Sequence, residues 1–278
     1  MTVAVVTDSA AALPAELVER HGVTVVPMWL TVRGMPELEG TRALEELVRE
    51  ESVTTSAPTP GEFEQAIKDR LRSSDGVLVL TIAGSMSATY DAARLAGESV
   101  GGPVRVLDTA TAGGAEALAV LAAAEAAASG ASLDDVEAAA RHVVERVRLV
   151  AAVPTLDHLV RSGRVPGLAG WAANRLGVNP LFEFRGGKVR RLRPALSREA
   201  ALDRMVSLVE RSREPGAPLH VAALHALAVE TAQELLDRVR ASFQPASSFI
   251  GEFGPVMVVH TGPGLAGLAW WWDDRAER

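Results

Sequence analysis

The apolar positions along the first half of the chain fall into short, continuous runs rich in β-branched residues: Val3–Thr7, Val23–Pro27, Val77–Ile82 and Val104–Leu107. Helical patterning lies between and after them. A strand that is apolar on both faces must be covered on both faces, so this alternation predicts a parallel sheet flanked by helices. Helix boundaries are punctuated. A helix opens near Pro14, and Thr59-Pro60-Gly61-Glu62 reads as a capping box with proline at the first helical position. Gly130 closes one helix and Ser132 caps the next. The alanine-rich stretch Ala115–Ala128 is interrupted by Glu116 and Glu125, so it predicts a tightly packed helix and not a membrane span.

The second half has a different rhythm. Val147–Val153 predicts a strand that leads into two short helices, Thr155–Arg161 and Leu168–Leu176. Leu181–Phe184, Gly186-Gly187 and Lys188–Leu192 form a hairpin signal, because paired glycines supply the positive φ of a two-residue turn. A helix over Arg198–Arg211, a strand over His220–Leu224 and a helix over Val229–Ser242 follow. Strands are expected at Ser248–Glu252, Pro255–His260 and Leu265–Trp271. The fold class is therefore α/β: an N-terminal parallel-sheet domain, residues 1–154, and a C-terminal α+β domain, residues 155–278, divided near Pro154.

Composition narrows the function classes. A length of 278 residues fits about two domains, and 48% hydrophobic with 23% charged residues is a globular balance. Without cysteine there is neither a disulfide framework nor a cysteine-based metal or redox site. A net charge of −7 speaks against nucleic-acid binding, which needs a basic footprint. The apolar run Val3–Val6 meets Asp8 too soon for a signal peptide, and the expected location is cytoplasmic.

Ligands of open parallel sheets sit beyond the carboxyl ends of the strands, at helix N-termini. Three segments occupy such places: Asp8-Ser9, Thr55-Ser56-Ala57-Pro58-Thr59, and Gly84-Ser85-Met86-Ser87-Ala88-Thr89-Tyr90. Hydroxyls and free N–H groups there suit a carboxylate or phosphate. Each segment also has a purely structural reading: Ser87 or Thr89 as an N-cap, Thr55 and Ser56 as turn residues, Asp8 as a cap or turn former. His260, before Thr261-Gly262-Pro263-Gly264, reads either as a structural strand-end histidine or as a polar contact beside a tight loop. No metal-binding spacing, Walker loop, nucleophile elbow or dinucleotide fingerprint is present, and no spacing supports a triad of Ser87, His260 and Asp8. The basic cluster Arg185, Lys188, Arg190, Arg191, Arg193 and Arg198 is either a solvated strand face or a docking patch for an acidic protein or an anionic membrane surface.

In order along the chain these segments resemble the DegV family. Asp8-Ser9-Ala10 with Leu13-Pro14 is similar to its D-S-x-x-x-L-P, Thr55-Ser56-Ala57-Pro58 to T-S-Q-P, and Ser87-Ala88-Thr89-Tyr90 to S-G-T-Y. Leu159 with Ser162-Gly163-Arg164-Val165 resembles L-x-x-G-G-R-I, Asn179-Pro180-Leu181 the entry to the hairpin, and His260-Thr261-Gly262-Pro263-Gly264 the motif H-x-G-P-G. The resemblance implies a protein that binds one long-chain fatty acid without catalysis of its own. Like the binding subunit (FakB type) of bacterial fatty-acid kinase, it would present the carboxylate to a separate ATP-binding kinase subunit, and the acyl phosphate would enter phospholipid synthesis. No metal or cofactor is implied, and membrane contact would be transient. Thr55, Ser56 and Ser87 then stand as carboxylate donors with Ala88 beside them, and His260 as a further polar contact. Arg164 would order the head-group region or face the partner. The sequence departs from the pattern at Ala57, Ala88 and Ser162, where the family has glutamine, glycine and glycine, and its segment between Leu30 and Glu45 is short. Two other classes remain: a small-molecule hydrolase using Ser87 and His260, and a lipid-binding regulatory protein without a kinase partner.

Overall fold

A computed structural model describes residues 2–50, 52–164 and 179–277. The first half runs β1 (Val3–Asp8), α1 (Ala15–His21), β2 (Thr24–Val26), β3 (Trp29–Val32), β4 (Met35–Leu38), α2 (Leu44–Leu47) and β5 (Val53–Ser56). It continues with α3 (Pro60–Leu71), β6 (Gly76–Thr81), α4 (Thr89–Val100), β7 (Val104–Asp108), α5 (Gly114–Ala128) and α6 (Leu133–Arg146). Then come β8 (Arg148–Ala152), α7 (Asp157–Ser162), β9 (Leu181–Arg185), β10 (Lys188–Arg191) and α8 (Arg198–Arg211). The chain ends with β11 (Leu219–His225), α9 (Val229–Ser242), β12 (Ser247–Glu252), α10 (Pro255–Thr261) and β13 (Ala266–Trp272). The helix expected at Leu168–Leu176, and Val165 of the arginine motif, lie outside the described residues.

The apolar runs of the first half form the parallel sheet β2-β1-β6-β7. Alternate residues enter different cores. Val6, Val77 and Val79 pack with Phe63 and Ile67 of α3 and with Ala93 and Ala96 of α4. Val5, Leu78, Leu80 and Leu107 join the core built with α5 and α6. The second sheet, β10-β9-β8-β13-β11-β12, is antiparallel except for the β11–β12 pair. Although β8 precedes Pro154, it is an inner strand of this second sheet, paired to β9 and β13. A cut at Pro154 therefore separates β8 from its partners.

Helix α5 lies between the two sheets, which explains its composition. Gly114 through Ala124 are all buried, and a helix apolar on every side is an interior helix. A Cβ on Gly114 would come within 2.8 Å of both the Ala222 Cβ and a Leu224 methyl, so the helix approaches β11 at a distance that only glycine allows.

Two features depart from expectation. The segment after Val26 is a small antiparallel sheet, β4-β3-β5, turned through Arg33 and Gly34 at φ 51° and 81°. The arginine in that left-handed position hides the glycine-rich signature of a two-residue turn. The run Pro255–His260, expected as a strand, is helix α10. Pro255 occupies the first turn, where its missing N–H costs nothing, and Gly262 ends the helix at φ 77°. Val256 and Val258 are buried helical residues, and periodicity over so short a run does not separate the two states. Among the described residues no helix is long and apolar enough to cross a membrane.

Candidate functional site

Four pieces of chain converge beyond the carboxyl ends of β5 and β6. At the first, Thr55 and Ser56 end β5, opposite Leu30 and Trp29. The chain then turns through Ala57 and Pro58 into the capping box of α3, where the Glu62 N–H donates to Thr59 Oγ1 (3.3 Å) and the Thr59 N–H donates to Glu62 Oε2 (2.7 Å). Trp29 Nε1 donates to Glu62 Oε1 (2.8 Å), tying the turn to β3.

The second piece, Ile82–Ala88, follows β6. Its start is held by Asp8, whose carboxylate accepts from the Ile82 N–H and the Ala10 N–H, each at 2.9 Å. Asp8 is thus the cap of the Ser9–Ala11 turn, the structural one of its two readings. Ser87 Oγ lies 2.7 Å from Thr89 Oγ1 and accepts from the Thr89 N–H at 3.3 Å. Ala88 sits at φ −72°, a conformation alanine adopts without strain, so the replacement of the family's glycine leaves this backbone undistorted.

The third piece is α10, which contributes Val256, Met257, His260 and Thr261. Its first turn is fixed by a group the sequence does not point to. Glu39, just after β4, accepts from the Val256 N–H at 2.9 Å and from the Ser9 hydroxyl. Burial pushes the Glu39 pKa up, while these donors pull it back. The fourth piece is α7 and its end. Ser162 Oγ donates to the Leu159 carbonyl (2.8 Å) and accepts from the Arg164 N–H (3.3 Å), and Arg164 Nη1 donates to the Ser162 carbonyl (2.7 Å).

Together these pieces enclose a cavity of about 370 Å³. Thr55, Ser56, Ser87, Ala88, His260 and Arg164 all line it, so the structure brings every residue expected at the head group to one place. The lining also holds apolar side chains: Met28, Ile82, Met86, Leu159, Val256 and Met257. Met28 and Met257 lie outside the candidate segments of the sequence; such flexible thioethers shape adaptable apolar surfaces. Among the described residues no Asp or Glu lines the cavity. Thr55 Oγ1 and His260 Nε2 are hydrogen bonded at 2.7 Å. Burial, and then the neighbouring Arg164 charge, bring the His260 pKa down to about 4, so its imidazole is neutral at physiological pH. Hydroxyls, a neutral imidazole and a guanidinium in one cavity with apolar side chains match an amphiphile with an anionic head.

The arrangement does not form a hydrolase triad. His260 is paired with Thr55, Ser87 with Thr89, and Asp8 with two backbone N–H groups. Outside the cavity, His142, Asp273 and Asp274 are grouped at metal-ligand spacing, but Arg146 and Arg275 already engage the two carboxylates at 3.2 and 2.9 Å.

The DegV family model, described as "Uncharacterised protein, DegV family", matches residues 2–272. A DegV domain-containing protein of Streptomyces coelicolor is 36% identical over 273 residues, covering 96% of this chain and 97% of its own length. A fatty acid-binding protein of Thermotoga maritima is 28% identical over 282 residues, with coverages of 96% and 97%. Among solved structures, that of a DegV family protein from Thermus thermophilus, described by its fatty acid binding, superposes with a TM-score of 0.91 at 28% identity. It covers 98% of this chain and 100% of that one.

Proposed function

This chain belongs to the DegV family, and on that premise we propose that its cavity binds a long-chain fatty acid and presents the carboxylate to a separate ATP-dependent kinase subunit for acyl-phosphate formation. The observation that carries the reading is a cavity lining that combines hydrogen-bond donors with apolar side chains and, among the described residues, holds no carboxylate. An ionised carboxylate needs donors and is repelled by other carboxylates, and an acyl chain needs the apolar side.

The energetics assign different tasks to the apolar and the polar side chains of the lining. About fourteen buried methylenes supply roughly 11 kcal/mol gross at about 0.8 kcal/mol each, and association and ordering remove several kcal/mol of it. Affinity therefore comes from the chain, while Thr55, Ser56, Ser87, His260 and Arg164 orient the head. The Thr55–His260 pair holds the threonine hydroxyl in place. In this reading the chain carries out no chemistry itself: a phosphoryl group is transferred by the partner to an oxygen that this protein positions.

The test is direct. Native mass spectrometry and organic extraction of the purified protein are expected to find about one fatty acid per chain. The chain alone should consume no ATP, and adding a cognate ATP-binding subunit should yield acyl phosphate. Protein that is empty and takes up neither palmitate nor oleate would overturn the lipid reading. Lipid-loaded protein that supports no acyl-phosphate formation would favour a regulatory role.

A further inference from the structure

Among the described residues strand β10 is an edge of the six-stranded sheet, paired only to β9. Arg185, Lys188, Arg190, Arg191 and Arg193 are all exposed along this hairpin and its exit. Arg185, Lys188, Arg190 and Arg193 have no carboxylate within ion-pair distance among the described residues. Arg198, which the sequence groups with them, is different: it is bound to Glu199 and Glu234 at 2.9 and 2.6 Å. Arg148 beneath the hairpin is likewise neutralised, by Glu183 at 2.7 Å.

Two observations separate this edge from an ordinary solvated strand. Lys188 is directly opposite Arg185 in the hairpin register, and like charges in that position repel. Charge on an edge strand discourages self-pairing whatever its sign, and this chain carries 35 acidic against 28 basic side chains, yet the edge is basic throughout. The hairpin tip is also fastened to the cavity. Ser85 Oγ donates to the Gly187 carbonyl (3.0 Å) and the Gly187 N–H donates to the Ala110 carbonyl (2.6 Å). Ser85 is two residues before Ser87, on a loop that lines the cavity.

We propose that the basic edge formed by Arg185, Lys188, Arg190 and Arg193 is the docking surface for an acidic face of the protein partner that acts on the cavity's ligand. The proposal rests on the reading of the cavity as a presenting site. Charge selects a protein over a lipid bilayer here. An anionic membrane is an extended plane that would confront the chain's net charge of −7, whereas a protein partner meets the patch alone, within a Debye length of about 8 Å at physiological salt. Docking at this edge places the partner next to the loop that carries Ser87, to which the hairpin tip is bonded through Ser85.

The test is the double variant Lys188→Glu/Arg190→Glu, whose two positions share one strand face, with the milder Lys188→Gln/Arg190→Gln as a folding control. Lipid content is read by native mass spectrometry, and association with the purified ATP-binding kinase subunit is followed between low and high salt. Both variants are expected to keep wild-type lipid content. Charge reversal should slow association at least tenfold at low salt and flatten its salt dependence, with the glutamine variant intermediate. Unchanged association and salt dependence overturn the docking surface while leaving lipid presentation standing. Loss of binding to phosphatidylglycerol vesicles with undiminished kinase association overturns it in favour of a membrane. A wild-type chain that carries lipid yet never associates with the kinase subunit overturns presentation and docking together.

Discussion

At the carboxyl edge of the parallel sheet, two groups of polar side chains are opposite in chemistry. The cavity wall gathers Thr55, Ser56, Ser87, His260 and Arg164 without a carboxylate among the described residues. Just inside it, where β1 ends and α5 begins, Asp8 and Glu116 are carboxyl groups with no exposed surface. Asp8 is satisfied by two backbone N–H groups, yet burial, reinforced by Glu39, still brings its pKa up to about 7. Glu116 accepts from the Thr7 hydroxyl through one oxygen (3.2 Å), and its other oxygen is buried without a partner among the described residues. Burial, with Asp8 adding to it, raises its pKa well above the ordinary range. The cavity offers donors to an incoming anion, whereas burial of the sealed carboxyls shifts both toward their protonated forms. Only the first arrangement favours a bound carboxylate, and position at the sheet edge alone does not make a ligand site.

The comparison breaks first at the cavity, where the effect should be largest. A hydrogen bond to a charged group is worth about 1.5–3 kcal/mol, so Ser87→Ala or Thr55→Val should cost on the order of tenfold in fatty-acid affinity. Kinase-coupled acyl-phosphate formation should fall further, by about a hundredfold, because a small misplacement of the reacting oxygen is amplified in the rate. Lipid affinity and turnover measured side by side decide the matter. Wild-type values of both for both variants would place the head group elsewhere.

The sealed carboxyls should answer to pH instead. Unfolded, such groups titrate near pH 4; folded, their pKa values are raised, so between the two the folded chain binds more protons than the unfolded one. The stability linked to both is complete below about pH 4; the Asp8 share is lost as pH rises through about 7, and the Glu116 share as pH rises through its own raised folded value. Glu116→Gln removes one titrating group and should flatten the decline by up to about 1.4 kcal/mol per pH unit. Urea unfolding at pH 5, 6, 7 and 8 tests this. A slope identical to wild type would mean that Glu116 is ionised in the fold, and the contrast with the cavity would fail.

The sequence reveals the cavity's donors better than its framework. Ser87 follows the apolar run Val77–Ile82, and Thr55 and Ser56 precede the capping box of α3, and these local patterns single out both turns. His260 reaches the same cavity, but from a helix where a strand was expected, because Pro255–His260 is too short for periodicity to decide. Glu39 was invisible for another reason. Its role depends on the β3–β4 hairpin bringing it to the first turn of α10, 217 residues further along, and no local pattern encodes so distant a contact. Glu116 reads from sequence only as a break in an alanine run; its burial follows from α5 lying between two sheets.

A third carboxylate, Glu62, sharpens the comparison with the smallest effect. It lies on the same side of the molecule, after the turn that carries Thr55 and Ser56. Partial burial raises its pKa, but the Thr59 N–H, the Thr59 hydroxyl and the Trp29 indole outweigh that and hold it below the usual value. Glu62 therefore shows what a carboxylate becomes here when it is given several donors and access to water. Thr59→Ala removes the hydroxyl that caps α3 and one of these donors, so the folded chain should lose about 1 kcal/mol at neutral pH. Because the depressed pKa stabilises the fold above the unfolded value of about 4.3 and this contribution is lost as pH falls through the folded pKa, the deficit should shrink in acid. Fatty-acid affinity should stay within twofold of wild type, since Thr59 does not line the cavity. Urea unfolding at pH 7 and pH 3.5, with palmitate binding measured at pH 7, checks both halves. A deficit independent of pH would assign the loss to the cap alone and remove Glu62 from the comparison. A large loss of palmitate affinity would show instead that the capping box sets the position of Thr55 and Ser56.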